Sequence, residues 1–262
     1  LADNGGPTLT HAVLPGSPAL NAGDPSFTVP PDFDQRGNGF PRVLLGRLDI
    51  GAYEFNDLTI PGGGLVVDTT VDEVDGDYST LNLSLREAIL LANDNAGANT
   101  ITFDATLDGQ TILMNDALGQ MTITDEVTVD ASALVNGIVI DAGDGTDNDS
   151  GTGDGYRIFL IDDGNISQKI DITLNGLTLT GGDILASSST NQEVGQGGAI
   201  RNLENLTIID SVLTENFAFG FFGAGGSIWN STGELVVEGS TISANGSRNG
   251  GAIWNVGGDM EV

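Results

Sequence analysis

The residues best placed to do chemistry are carboxylates. The run Asp141-Ala-Gly-Asp144-Gly-Thr-Asp147-Asn-Asp149-Ser-Gly151-Thr-Gly-Asp154-Gly155 alternates acids with glycines, as a pliable loop presenting hard oxygen ligands to Ca2+ does. Its candidate metal ligands are Asp144, Asp147, Asp149 and Asp154, although the terminal Glu of an EF-hand loop is missing. Asp72, Asp75 and Asp77 form a second, weaker set. A solvated acidic loop accounts for either set equally well, so Ca2+ is a candidate stabiliser and not a requirement. His11 is the only histidine; a triad or imidazole metal site would depend on it alone, and a structural hydrogen bond suits it better. Many Asp residues could supply a hydrolytic pair, but spacing singles out none.

Arg201, Trp229 and Trp254 stand at the same place in three related segments. They are expected to form a column on one face, the candidate ligand site, because stacked aromatics hold sugar rings. Packing between neighbouring strands explains the same column.

The elements that must position these groups follow from a repeat. Gly-Gly-Ala-Ile-Arg-Asn starts at Gly197, Gly-Gly-Ser-Ile-Trp-Asn at Gly225 and Gly-Gly-Ala-Ile-Trp-Asn at Gly250, so the periods are 28 and 25 residues. The strand-like runs align Ile172, Leu174, Leu177 and Leu179 with Leu206, Ile208, Ser211 and Leu213, then with Leu235, Val237, Ser240 and Ile242. Alternation broken once by a longer step describes two short strands meeting at a bend, with one face buried. A unit of this length cannot bury its apolar face alone, so successive coils must stack as parallel strands about 4.8 Å apart. Residues 100–262 should make roughly six such coils, a rod near 30 Å long at that spacing. Leucine-rich repeats have a similar period, but their Leu-x-x-Leu-x-Leu spacing is missing. Asn202, Asn230 and Asn255, and likewise Asn216 and Asn245, recur at equivalent turns. They would stack as hydrogen-bonded ladders, although asparagine also suits left-handed turns by itself. Phe217, Phe219, Phe221 and Phe222 read as an apolar cluster in a longer inserted loop.

One helix is expected over 84–94, opened by a capping box from Ser84 to Glu87. Placed before a solenoid, it would cover the first coil, whose strand edges and apolar surface are otherwise open. The predicted organisation is a loop-rich segment at 1–55, a linker at 56–64, a cap at 65–99 and stacked coils at 100–262, incomplete at the C-terminal end.

Composition narrows the function. The net charge is -29, from 8 Lys plus Arg against 37 Asp plus Glu, which makes nucleic acid and anionic lipid poor partners and cations good ones. With 39 Gly, 39% hydrophobic and 6% aromatic residues, an all-β fold of short strands and tight turns is indicated. There is no Cys, so disulfides and thiolate sites are excluded. No apolar run reaches the length of a membrane span, and Leu1 does not open a signal sequence, which suggests a mature or excerpted chain.

Two stretches carry resemblances. Leu83-Ser84-Leu85-Arg86-Glu87-Ala88-Ile89, followed by Ala92-Asn93, resembles the Cys-Ser-Leu-Arg-Glu-Ala-Ile motif that opens many bacterial β-helix domains of the pectate-lyase-like superfamily. Leu83 stands where that motif has cysteine, which removes any disulfide there. Asn4-Gly5-Gly6-Pro7-Thr8-Leu9-Thr10-His11, Pro15-Gly16-Ser17-Pro18-Ala19, Asn21-Ala22-Gly23-Asp24, Asp34-Gln35-Arg36-Gly37 and Asp49-Ile50-Gly51-Ala52-Tyr53-Glu54 together resemble the choice-of-anchor Q domain. The resemblance implies a segment that closes a β-helix and leads toward a surface anchor. The implied fold is all-β: a right-handed parallel β-helix solenoid with one N-terminal capping helix, preceded by a β-helix closing segment. The implied setting is extracellular, on a bacterial cell surface. Lyases of this architecture need Arg or Lys beside Ca2+-binding carboxylates, and the repeat region offers only Arg157, Lys169, Arg201 and Arg248. The expected function is therefore a structural or adhesive module, one unit of a head-to-tail surface filament or of a giant tandem-repeat protein, without catalysis. Binding or cleavage of polysaccharide, with surface glycans as partners, is the alternative.

Overall fold

The computed structural model describes residues 1–13, 17, 19, 22–24, 31–43, 48–54, 64–76, 78, 81–143, 152–186, 195–220 and 223–262. Those from Gly64 onward build parallel sheets and one α-helix. A seven-stranded sheet takes, in spatial order, Leu65–Val67, Asn99–Phe103, Val127–Asp130, Asp171–Asn175, Asn205–Ile209, Leu235–Glu238 and Met260–Glu261. A five-stranded sheet holds Thr111–Leu113, Ile138–Asp141, Leu177–Thr180, Val212–Thr214 and Thr241–Ser243. A second holds Met121–Ile123, Phe159–Ile161, Ile200–Asn202, Ile228–Asn230 and Ile253–Asn255. From Asn99 the chain visits these three sheets in rotation and adds a strand to each at every pass. From Asp183 it inserts a strand of a further, three-stranded sheet of Asp183–Ala186, Phe217–Gly220 and Gly246–Ser247. The sheets are separate, and none closes on itself.

The register is the one the repeat demands. Leu206 lies between Ile172 and Leu235, Ile208 between Leu174 and Val237, and Leu213 between Leu179 and Ile242. These inward residues are almost entirely shielded, apart from the partly buried Ile242 in the last coil. Full burial of such a side chain contributes about 1.5–3 kcal/mol, so every coil added strengthens its neighbours. At the bend, where the alignment sets Ser211 beside Leu177, the Ser211 hydroxyl accepts the Leu177 N–H at 3.1 Å, and Ser240 accepts from Ser211 N at 3.0 Å.

Both asparagine ladders form. Asn202 Nδ2 donates to Asn230 Oδ1 at 2.6 Å and Asn230 Nδ2 to Asn255 Oδ1 at 2.9 Å, while Asn216 Nδ2 donates to Asn245 Oδ1 at 3.1 Å. The Gly-Gly motif has a steric origin. Gly197, Gly225 and Gly250 have φ of +66°, +63° and +77°, which β-carbon-bearing residues adopt only at a cost. A Cβ on the second glycine, Gly198 or Gly226, would overlap the backbone of an adjacent turn.

The helix spans Leu85–Asp94. Ser84 is its N-cap, and both arms of the capping box with Glu87 are present. The helix packs against Leu65–Val67, Asn99–Phe103 and Met121–Ile123, burying Leu85, Ala88, Ile89, Leu91 and Ala92. Asn93 fastens its far end, donating to Thr122 O at 2.8 Å and accepting from Thr124 N at 2.8 Å.

The aromatic run differs from the sequence expectation. Phe217–Gly220 is a strand paired with Asp183–Ala186 and not a loop, because the Asn216 ladder keeps the chain in register up to Phe217. Phe217 and Phe219 stack at 5.9 Å; Phe221 and Phe222 lie outside the described residues. The expected linker lies outside them too, except Gly64.

Within the N-terminal segment the two acidic motifs meet. The Arg36 guanidinium makes paired bonds to Asp34 at 2.9 and 2.7 Å and lies between the rings of Phe40 and Tyr53, 4.1 and 3.9 Å from their centroids. Burial alone would raise the Asp34 pKa; the Arg36 bonds and the N–H groups of Glu54 and Arg36 outweigh it and hold the carboxyl below its ordinary value. Among the described residues no helix is long and apolar enough to cross a membrane.

Candidate functional site

Strand pairing sets Arg201 directly beside Trp229, and Trp229 beside Trp254, the column that the repeat implies. The Arg201 guanidinium lies 5.2 Å from the Trp229 ring centroid, and its Nε donates to Gln196 Oε1 at 2.9 Å. Arg201 and Trp229 are only 7% and 8% exposed, whereas Trp254 is 39% exposed. Arg201 and Trp229 therefore pack between coils, and Trp254 stands on the edge strand of the same sheet, paired on one side.

Of the acidic loop, Asp144, Asp147 and Asp149 lie outside the described residues. Asp154 accepts a hydrogen bond from Thr152 Oγ1 at 3.1 Å. The neighbouring Gly153 N–H binds the fully buried Asp183 carboxylate at 2.8 Å, so the loop's end is docked on the strand that Asp183 begins. Nothing in the local sequence marks Asp183, because its partners lie a coil away.

The second acidic set is divided by the structure. Asp72 is committed to Arg86, with Nε–Oδ1 and Nη2–Oδ2 contacts of 2.7 Å each, and also accepts Asn115 N–H at 2.7 Å. The guanidinium thus stands where the expected cation would. Asp75 is tied down through its backbone, whose N–H donates to Glu87 Oε1 at 3.0 Å; Asp77 lies outside the described residues.

A carboxylate group that spacing did not single out comprises Asp162, Asp163 and Glu204, with ligand oxygens within 4.8 Å of one another. Lys169 Nζ sits 3.7 Å from Glu204 Oε2 and supplies the local positive charge. Burial, opposed by Lys169 and reinforced by Asp163, raises the pKa of Glu204 above its ordinary value. Glu204 follows Ile170, whose N–H it accepts, by one coil length of 34 residues, a relation present in the repeat alignment. His11 is exposed at the mouth of a cavity of about 910 Å3 lined also by Leu1, Leu9, Val13, Ile50 and Tyr53.

Glu87 is a strongly perturbed acid. Its side chain accepts N–H groups from Asp75, Gly76 and Ser84 and lies near the buried Tyr78 hydroxyl, which has no hydrogen-bond partner among the described residues. Burial outweighs those bonds and pushes its pKa up to about 7. Burial, followed by the charges of Glu87 and Asp75, likewise raises the Tyr78 phenol. A carboxyl with a raised folded-state pKa binds its proton more tightly folded than unfolded. Its stabilising contribution is complete below the ordinary value of 4.5 and is lost as pH rises to about 7. The stability of the helix should therefore fall by up to about 3 kcal/mol across that window, at 1.36 kcal/mol per pK unit. Amide exchange in Leu85–Asp94 measured at pH 4.5 and 7.5 reads this directly. Glu87→Gln, which mimics the protonated form, should flatten the profile, and an unchanged profile would mean that another group is responsible.

No family model, curated protein or solved structure matches the chain. The fold and these sites define a class: a chain whose described residues form stacked parallel sheets with one α-helix over one end.

Proposed function

We propose that this chain is a right-handed parallel β-helix module of the pectate-lyase-like kind, acting as a structural or adhesive rod on a bacterial cell surface and not as an enzyme. The observation that carries the reading is the rotation of the chain through three sheets in constant register, fastened at two turns by asparagine ladders. Right-handed winding follows from the strong bias of parallel crossover connections. In this reading residues 65–99 cap the helix at one end, and residues 1–55 are a closing segment of the choice-of-anchor Q kind. That segment sits against the solenoid of another copy, giving head-to-tail association.

Each unit carries a net charge of -29, so copies repel at low ionic strength. Ca2+, or simply added salt, is the expected promoter of assembly. Electron microscopy of concentrated protein with and without Ca2+ tests this reading. Rods that lengthen end to end on addition of cations support it. Short single rods at every concentration, with residues 1–55 against their own coils, overturn head-to-tail assembly. The column of Arg201, Trp229 and Trp254 favours a second reading, glycan binding; loss of glycan binding in Trp254→Ala alongside single rods would put it first.

A further inference from the structure

The outward face of the seven-stranded sheet carries three columns. The central one is Thr100, Thr128, Thr173 and Thr207, continued by Val236 and Glu261. On one side stand Thr102, Asp130, Asn175, Ile209 and Glu238. On the other, one residue outside each paired inward position, stand Glu126, Asp171, Asn205, Glu234 and Asp259. Alternate residues of a strand lie about 6.6 Å apart, so the flanking columns run about 13 Å from one another, with carboxylates recurring along the rod at multiples of about 4.8 Å. A shallow cavity of about 270 Å3 lies within this trough, lined among others by Asp171, Thr173, Asn205, Thr207 and Glu234.

The chain's own cations do not neutralise these carboxylates. Arg36, Arg86, Arg157 and Arg201 are buried, Arg42 pairs with Glu54 and Lys169 with Glu204, which leaves Arg248 as the exposed Lys or Arg among the described residues.

We propose that this face is a docking surface for an extended, lysine- and arginine-rich polypeptide laid along the rod axis. An extended chain projects successive side chains to opposite sides. Over the threonine column it would send them alternately toward Glu126, Asp171, Glu234 and Asp259 on one side and toward Asp130 and Glu238 on the other, while threonine hydroxyls meet its backbone. Long cationic side chains accommodate the difference between the peptide and coil repeats. The proposal deepens the adhesive part of the function above and rests on it.

The test uses the whole chain and a fluorescent peptide of about ten lysines, with binding read by anisotropy at about 0.15 M salt, where distant charges are screened. One variant combines Asp171→Asn, Glu234→Gln, Glu238→Gln and Asp259→Asn, all exposed on this face. A control combines Asp32→Asn, Asp94→Asn, Asp116→Asn and Glu215→Gln, equally exposed elsewhere. The sheet variant should bind about tenfold more weakly or worse, since four exposed pairs are lost together, and the control should match the parent. Equal losses in both would reveal only diffuse attraction to a polyanion and overturn the docking surface, as would no binding by the parent. Rods seen by microscopy without peptide preference would sink this proposal and leave the rod standing.

Discussion

Arg86→Ala is expected to destabilise the chain by about 3–5 kcal/mol, the cost of stranding one partner of a buried ion pair. Arg86 and Asp72 are 6% and 5% exposed. The guanidinium also donates to Gly119 O at 2.7 Å and Gln120 O at 3.2 Å, so three elements meet on one side chain: the helix, the segment before it, and the turn that leads into Met121–Ile123. Without it, Asp72 retains its bond from Asn115 N–H but loses its charge partner. Arg86→Lys should rescue little, because an ammonium cannot reproduce the two-pronged contact. Arg86→Met combined with Asp72→Leu should recover most of the loss, since an apolar pair leaves no buried charge behind. Denaturant unfolding followed by circular dichroism measures all three; an Arg86→Ala midpoint equal to the parent's would show that the pair contributes nothing.

Gly225→Ala is the second large expectation. At φ +63° an alanine incurs about 1–2 kcal/mol from the left-handed conformation alone. Its Cβ would also overlap the carbonyl oxygen of Ile228, and overpacking of this kind adds about 1–3 kcal/mol. Gly251 separates the two costs: its φ is +51°, but open space surrounds the added carbon. Gly251→Ala should therefore show the conformational part only. Equal thermal shifts in the two variants would mean that the turn at Gly225 relaxes freely.

The periodic part of the fold was legible because a stacked coil converts sequence distance into spatial adjacency. Aligning Leu206 with Ile172 and Leu235 anticipated their pairing, and the recurrence of Asn202, Asn230 and Asn255 anticipated their ladder. The capping box at Ser84 was legible for a local reason, since its partners are three residues apart. The Phe217 strand was not, because it pairs in a sheet that only the later coils possess. The candidate sites were legible in position and not in partnership. Asp72 stood out as an acid beside other acids, yet its pairing with Arg86 depends on where the helix lands on the first coil.

By itself, then, the sequence determined the repeat, the inward and outward assignment of side chains, the glycines at crowded turns and the helix start, all consequences of period and local sterics. The tertiary structure decided which charges are cancelled. Arg86 takes the place of a cation at Asp72, Lys169 answers Glu204, and Trp229 is covered by the strands on either side of it. Exposure and counter-charge depend on what the neighbouring coil or cap places over a residue, and that is a property of the stack and not of any one stretch of chain.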